Sequence, residues 1–541
     1  MEILGRFASN DVQGADVHKS GPDLGNRVIL GFVILLALTM LIYPTARAFY
    51  HFEVNYNEGW NLYNTETVAH HIPTYGAKYN WTTVNYPLLS YYVVHALSRL
   101  THDDLLTGRL LSLFSMGLSC VLVGLIVKRL TGNLASALFG GFFCLALFCT
   151  IAPSYVGAND PQIFAQVFFL AGFLIYVRRP PRLRWLATVA LLFAVGCNIK
   201  HNLIDFPLAV LLDLSIVSRR KAAQFALFSG ALACISVAAN ISAGGPYFIS
   251  NLLAGRSYFL LRALLNFLEA YVALLFPLIV ACIWAGKERN SSPNRILSIF
   301  FFLSLFVGIA LGGGEGVSVN SYFDNFLAIS MIVGILFHSV LQSRGPDFRC
   351  VDLRKWGFAG LLLSGFLIAA TLSGTALFWR RIAELPREQA QFDREVSFIA
   401  SLPGPTVCES LLRCYAAEKP YVYDPFNCRR FIESGKLDSD VIVSRIASRQ
   451  YASIQISLPV KSYEGLTEQL QLPGFHPIEY STIQLGPYGE LHERFPEDIL
   501  KAIDTYYVLA TEDPNCDIYV PRWTYRLSES SVRTRRTPLG K

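Results

Sequence analysis

Between the first long apolar segment and the next lies a short stretch with the residue types of a reactive site, Asn57-Glu58-Gly59-Trp60-Asn61-Leu62-Tyr63. His70-His71 follow, then Lys78-Tyr79-Asn80-Trp81-Thr82-Thr83-Val84-Asn85-Tyr86-Pro87. Aromatic rings favour the membrane–water interface. A carboxylate held there against low-dielectric walls is a natural proton acceptor. Four other polar pieces border apolar runs: Asn159-Asp160, Lys200-His201, the loop 244–258 with Arg256, and Gly312-Gly313-Gly314-Glu315-Gly316 through Asn320-Ser321-Tyr322-Phe323-Asp324-Asn325. Two carboxylates with a lysine and an arginine suffice to deprotonate a nucleophile and to hold an anionic phosphate.

Each residue also has an ordinary structural reading. Glu58 stands at the start of a helix expected over 59–71, where a carboxylate favours the positive end of the dipole. Asp160 precedes Pro161, an N-cap arrangement. Lys200 fits a side chain snorkelling from a helix end, and Lys78 and Arg256 fit solvated loop charges. His70 and His71 lack a third metal ligand at useful spacing. The triple glycine before Glu315 lacks the strand and lysine of a phosphate-binding loop. The chemical reading therefore depends on whether the chain gathers these pieces on one side.

The elements that must do so are apolar. Of 541 residues, 52% are hydrophobic and 16% charged, with a mean hydropathy of +0.38. A soluble domain is about a quarter charged, so the deficit points to lipid as the main solvent. The net charge of +6 is small for this length, and the basic residues fall at the ends of apolar runs. Both facts argue against nucleic acid as a partner.

A helix needs about 20 apolar residues to cross the hydrocarbon core. The long candidates are 28–48, 105–127, 135–151, 161–176, 222–241, 260–285, 296–311, 326–341 and 356–378. A shorter pair, 185–197 and 203–217, is split by Asn198-Ile199-Lys200-His201-Asn202 and reads as a tight V. The expected total is about eleven transmembrane helices. Basic residues cluster at 128–129, 178–184, 219–221, 287–289 and 344–355, whereas the opposite loops hold chiefly Lys78, Arg99, Lys200 and Arg256. The positive-inside rule then puts the N-terminus inside and everything after about residue 380 outside. All five polar pieces fall on that outer side, where ionisable groups at membrane depth suggest function.

The expected organisation is a cytoplasmic segment 1–27, a membrane domain 28–379 with a first outer loop 49–104, an extracytoplasmic domain 380–527 and a disordered tail 528–541. The third region has short mixed segments punctuated by Pro and Gly, and reads as a compact α/β domain. Eleven cysteines are scattered without a CxxC pair. Four of them, Cys408, Cys414, Cys428 and Cys516, lie in that exported region, where disulfides become possible.

Asn57-Glu58-Gly59-Trp60, Asn85-Tyr86-Pro87-Leu88-Leu89-Ser90, Gly157-Ala158-Asn159-Asp160-Pro161, Lys200-His201-Asn202 and Val319-Asn320-Ser321-Tyr322-Phe323 carry a family resemblance through their order and topological side. The chain resembles the GT-C superfamily of integral-membrane glycosyltransferases over most of 28–380. The nearest likeness is to the family 39/RgtA-like branch, which includes protein mannosyltransferases and the lipid A aminoarabinose transferase. The resemblance implies a polytopic helical fold and a sugar donor linked to a polyprenyl phosphate. It implies inverting transfer to a hydroxyl of a glycan, lipid or protein acceptor at the outer face of a bacterial cytoplasmic membrane, with no cofactor and no metal. Glu58 would then be the first-loop base and Asp160 the second-loop acid. Lys78, Lys200 and Arg256 would face the donor phosphate, and Asn57, Trp60, Tyr63, Tyr86, His201, Asn320 and Tyr322 would line the substrate pocket. One departure matters: many relatives have Asp-Glu where this chain has Asn57-Glu58, which leaves the base open between Glu58 and Asp160. A multi-spanning transporter or flippase is the alternative outside the transferases, and an oligosaccharide ligase or polymerase the alternative within them.

Overall fold

The computed structural model describes residues 24–179, 181–254, 257–292, 294–342, 360, 364–366, 378–457, 494–513 and 516–522. The chain opens with helix α1 (Leu24–Arg47), then two helices of the first loop, α2 (Asn57–Ala69) and α3 (Leu89–Thr101). Next come α4 (Asp104–Thr131), α5 (Leu134–Ile151), α6 (Pro161–Arg178), α7 (Leu183–Ile199), α8 (Asp205–Val217) and α9 (Arg219–Gly244). A short α10 (Phe248–Leu252) leads to α11 (Leu260–Tyr271), α12 (Leu275–Glu288) and α13 (Arg295–Gly312). A 3₁₀ turn (Val319–Tyr322) runs into α14 (Phe323–Gln342).

Capping side chains set several of these starts. Asp103, Asn133 and Asp160 each accept a backbone N–H from the first turn of α4, α5 and α6, which satisfies donors that a helix cannot pair internally. Among the described residues, seven helices are long and apolar enough to cross a membrane, and eight crossings result if the bent pair α11–α12 counts as one. That pair corresponds to the expected single span 260–285, broken by a 93° bend. Of the split pair, α7 has 17 residues and α8 only 13, short of a full crossing. Most of the expected span 356–378 lies outside the described residues, as do nearly all of 1–27 and the whole tail 528–541. The spans turn Leu35, Phe114, Leu227 and Phe306 outward, the faces that lipid would cover. Inward they share one apolar core in which Phe139 stacks on Phe337 at 4.1 Å and Phe206 packs on Phe300 at 4.2 Å.

Helix α15 (Phe378–Ser401) leads to a small mixed domain. Its strands are β1 (Thr406–Cys408), β2 (Ser453–Ile456), β3 (Tyr507–Asp513) and β4 (Cys516–Pro521), in spatial order β1-β2-β4-β3. β1 and β2 are parallel and the other pairs antiparallel. Between β1 and β2 run α16 (Leu411–Ala416), α17 (Pro425–Glu433) and α18 (Ser439–Ala447), and α19 (Glu497–Tyr506) precedes β3. Cys408 and Cys414 form a disulfide, while Cys428 and Cys516 are buried.

This domain sits directly on α2. A Cβ on Gly59 would lie 2.1 Å from the Leu412 backbone nitrogen, so only glycine allows the two backbones to approach this closely. Tyr63 stacks on Tyr421 at 4.6 Å and donates its hydroxyl to the Lys419 carbonyl. The first loop and the C-terminal domain therefore pack against each other.

Candidate active site

Glu58 lies in the first turn of α2 and is completely buried. Its carboxylate accepts two parallel hydrogen bonds from Arg109, Nε to Oε1 and Nη2 to Oε2, both 2.7 Å. The Asn159 N–H donates to Oε1 at 3.0 Å and the Val54 N–H to Oε2 at 2.8 Å. Burial alone would raise its pKa. The Arg109 charge and hydrogen bonds, with the two backbone donors, instead hold it below the usual glutamate value. Four donors fill the acceptor capacity of a carboxylate. Arg109, also completely buried, donates further to the carbonyls of Tyr50 and Phe52. The pair thus ties the 50–58 segment, the start of α4 and the 159 peptide into one unit.

Asp160 lies on the far side of that peptide. The turn before it is clamped from four directions. Arg47 donates to the carbonyls of Pro153 and Val156, and Ser112 bonds to the Tyr155 carbonyl and the Gly157 N–H. Glu58 takes the Asn159 N–H, and Asn61 Nδ2 donates to the Asn159 carbonyl at 2.7 Å. Gly108 makes room for the Asn159 side chain, since a Cβ there would fall 2.1 Å from its Oδ1. The Asp160 carboxylate itself accepts one bond per oxygen, from the Gln162 N–H at 2.9 Å and from Asn57 Nδ2 at 3.1 Å. It is 6% exposed and lines a pocket with Asn61, Ser90, Tyr91, Ser112 and Asn159. Among the described residues no further donor reaches Asp160, so each of its oxygens has one acceptor position to spare.

An aromatic group runs from this pocket to Lys200. Trp60 packs edge-on against Tyr91 at 6.3 Å and Tyr86 at 5.0 Å. The Lys200 ammonium donates to the Tyr86 hydroxyl at 2.6 Å and sits 3.9 Å from that ring's centre. The His201 ring stands 6.1 Å from the same tyrosine. Lys200 is buried at the C-terminal end of α7, and among the described residues no carboxylate pairs with it.

The structure places the other expected residues less centrally. Lys78 is exposed over the Tyr79 ring, which also packs against Phe431 and Lys436 of the C-terminal domain. Tyr63 belongs to the interface with that domain, for its hydroxyl and ring face are both taken there. Asn320 exchanges two hydrogen bonds with Gln162, one turn below Asp160, and so braces α6. Tyr322 is buried among Phe267 and Tyr271 inside the bundle. Arg256 lies outside the described residues. Among the described residues no three His, Cys, Asp or Glu side chains gather as a metal site.

Four contributors escaped the sequence reading: Arg47, Asn61, Arg109 and Asp424. Arg109 carried a signal, because a charged residue inside an apolar run invites a functional reading by itself. Asp424 begins α17 just as Asp160 begins α6, with a proline following, but it is completely buried. It accepts Trp60 Nε1 at 3.0 Å, the Tyr56 hydroxyl at 3.2 Å, and the Asn427 amide and N–H at 2.6 and 3.1 Å. Burial among these neutral donors raises its pKa above the usual aspartate value.

Residues 85–242 match the family model described as dolichyl-phosphate-mannose-protein mannosyltransferase. The fold is similar to that of ArnT from Cupriavidus metallidurans in the apo state, with TM-score 0.54, 11% identity, and coverage of 90% of this chain and 97% of that one. The undecaprenyl phosphate-bound structure of the same ArnT gives 0.53, 12% identity, and coverage of 90% and 98%. The apo oligosaccharyltransferase of Archaeoglobus fulgidus gives 0.53, 12% identity, and coverage of 94% and 82%. No curated protein sequence matches the chain. The expected resemblance thus stands as a likeness in fold to ArnT and to the oligosaccharyltransferase, and as a match to the mannosyltransferase family model over residues 85–242.

Proposed function

We propose that the protein is a glycosyltransferase that moves a hexosyl or pentosyl group from a polyprenyl-phosphate carrier to an acceptor hydroxyl. The reaction takes place at the outer face of a bacterial cytoplasmic membrane, with the N-terminus inside and the C-terminal domain outside. The matched mannosyltransferase segment, the ArnT-like fold and the charge asymmetry of the loops all support this reading. So does the undecaprenyl phosphate bound by the ArnT structure of similar fold.

The observation that carries the mechanism is the contrast in donors at the two loop carboxylates. Glu58 has no acceptor position left and is enclosed by Arg109, so it serves as a fixed strut. Asp160 is held by that strut through the Asn159 peptide and faces a pocket with acceptor capacity to spare. Asp160 is therefore the general base. It takes the proton of the acceptor hydroxyl as that oxygen bonds to the anomeric carbon. The bond from carbon to phosphate oxygen breaks on the opposite face, and the configuration inverts. The phosphate departs as a stable anion without needing a proton. Lys200 offsets the charge that develops on it, aided by the low dielectric around a buried ammonium. Asn57, donating to Asp160, orients the carboxylate where many relatives carry a second acid.

Purified full-length protein given a radiolabelled polyprenyl-phosphate sugar and an acceptor should release polyprenyl phosphate without any membrane gradient. Absence of release with a functional acceptor would favour a transporter. Use of a diphosphate-linked oligosaccharide instead would favour the ligase reading, which the oligosaccharyltransferase of similar fold keeps in view.

A further inference from the structure

We infer that Asp424, in the C-terminal domain, is a positioning residue for the donor-phosphate cation Lys200, acting through Trp60 and Tyr86. The inference rests on the proposal that Lys200 faces the donor phosphate. The route is continuous. Asp424 Oδ2 accepts the Trp60 indole N–H at 3.0 Å. That bond fixes the plane of the Trp60 ring, which meets Tyr86 edge-on with centroids 5.0 Å apart and planes at 82°. Tyr86 in turn presents both its hydroxyl, at 2.6 Å, and its ring face, at 3.9 Å, to the Lys200 ammonium.

Three features make this more than packing. A lysine has a long stem with several rotatable bonds, so a buried ammonium needs something to stop it folding away. Tyr86 is that stop, and Tyr86 is only half-buried and lies in a loop outside any helix. Its backbone is held by the Tyr75 hydroxyl, which donates to the Tyr86 carbonyl, and its ring packs between Trp60 and His201. Trp60 sits on α2, against which the C-terminal domain packs at Gly59 and at Trp60 itself. Asp424 is anchored within that domain by the Asn427 donors and by its own N–H to the Trp81 carbonyl at 2.7 Å. The domain thus sets the geometry of a group in the membrane-facing site without touching the reacting atoms. It does so with one carboxylate.

The test is the affinity of the full-length protein in detergent for a short-chain polyprenyl monophosphate, with the corresponding unphosphorylated alcohol as control. Asp424→Ala should weaken phosphate-lipid binding about tenfold and leave alcohol binding unchanged. Asp424→Asn has a single oxygen and keeps either the helix cap or the Trp60 acceptor but not both, so it should weaken phosphate-lipid binding, by no more than Asp424→Ala, and leave alcohol binding unchanged. Trp60→Phe keeps a ring but loses the indole donor and should resemble Asp424→Ala, which covers the case in which the alanine variant folds poorly. In a Lys200→Met background, Asp424→Ala and Trp60→Phe should each add less than about twofold, because residues acting through one partner are non-additive. Fully multiplicative losses, or equal weakening for phosphate and alcohol, would overturn the inference while leaving Lys200 in its role. If Lys200→Met itself leaves phosphate affinity unchanged, the donor-site reading fails instead.

Discussion

Glu58 and Asp160 come from different loops and meet across a single peptide, yet their surroundings differ sharply. Glu58 receives four hydrogen bonds, two of them from a fully buried arginine, and its proton affinity falls. Asp160 receives two, both from neutral groups, and borders a pocket. A carboxylate with every acceptor position filled cannot take a proton from a substrate without first losing a bond. One with open positions can. Asp424 adds a third arrangement, in which burial outweighs four neutral donors and raises the pKa, and among the described residues no salt bridge forms at this carboxylate. What separates a strut from a base here is which donors reach the carboxylate, and how many.

The contrast breaks most sharply at Asp160. Asp160→Asn preserves the helix cap and should melt close to wild type, while transfer falls by about 10²–10⁴-fold, the usual cost of a missing general base. Turnover per folded molecule, measured with a labelled donor, checks it.

At Glu58 the expected loss is one of stability. Arg109→Met strands a buried carboxylate and should cost about 3–5 kcal/mol, whereas Arg109→Met with Glu58→Gln should recover a substantial part of it. Chemical denaturation of the two variants in the same detergent reads the difference. Equal stabilities would mean that the pair carries no charge coupling.

A buried carboxylate with still fewer donors extends the series. Glu409 accepts a single protein hydrogen bond, from the Ser457 N–H, and burial pushes its pKa up to about 7, with Arg494 and Arg413 opposing and Glu53 reinforcing the rise. The folded state therefore holds a proton that the unfolded chain releases near its ordinary value. The resulting stability is fully present below about pH 4.5 and is lost as pH rises through about 7, a change of about 3 kcal/mol. Glu409→Gln should flatten that pH dependence of the C-terminal domain's melting transition.

The smallest effect belongs to the support of the Asp160 turn. Gly108→Ala must displace the Asn159 side chain, and a shift of the adjoining carboxylate should lower kcat/KM about tenfold, with little change in stability. Steady-state kinetics beside a melting curve separates the two.

Much of this was legible in the sequence. The apolar runs announced a helical membrane domain, and the Pro- and Gly-punctuated region after 380 announced a mixed domain. Asn57, Glu58, Asp160 and Lys200 were all marked by residue type beside apolar segments. What the sequence concealed was pairing. Glu58 looks like a free acid because its partner, Arg109, lies 51 positions away inside an apolar run. Tyr63 looks like a pocket aromatic until the C-terminal domain covers it. The expected single span 260–285 carries Arg262, Asn266 and Glu269 in its first half, yet nothing in that pattern encodes the 93° angle at which its two helices meet. Asp-Pro at 160 and at 424 reads identically, and only the packing distinguishes an open carboxylate from a closed one.

The most direct test compares donor turnover per folded molecule in Asp160→Asn and Glu58→Gln, measured as polyprenyl phosphate released by the purified full-length protein. The assignment of Asp160 as base predicts that Asp160→Asn is stable and nearly inactive. Glu58→Gln should be less stable, and its remaining folded fraction should turn over much faster than Asp160→Asn. A stable, inactive Glu58→Gln beside an active Asp160→Asn would contradict it and return the base to the first loop.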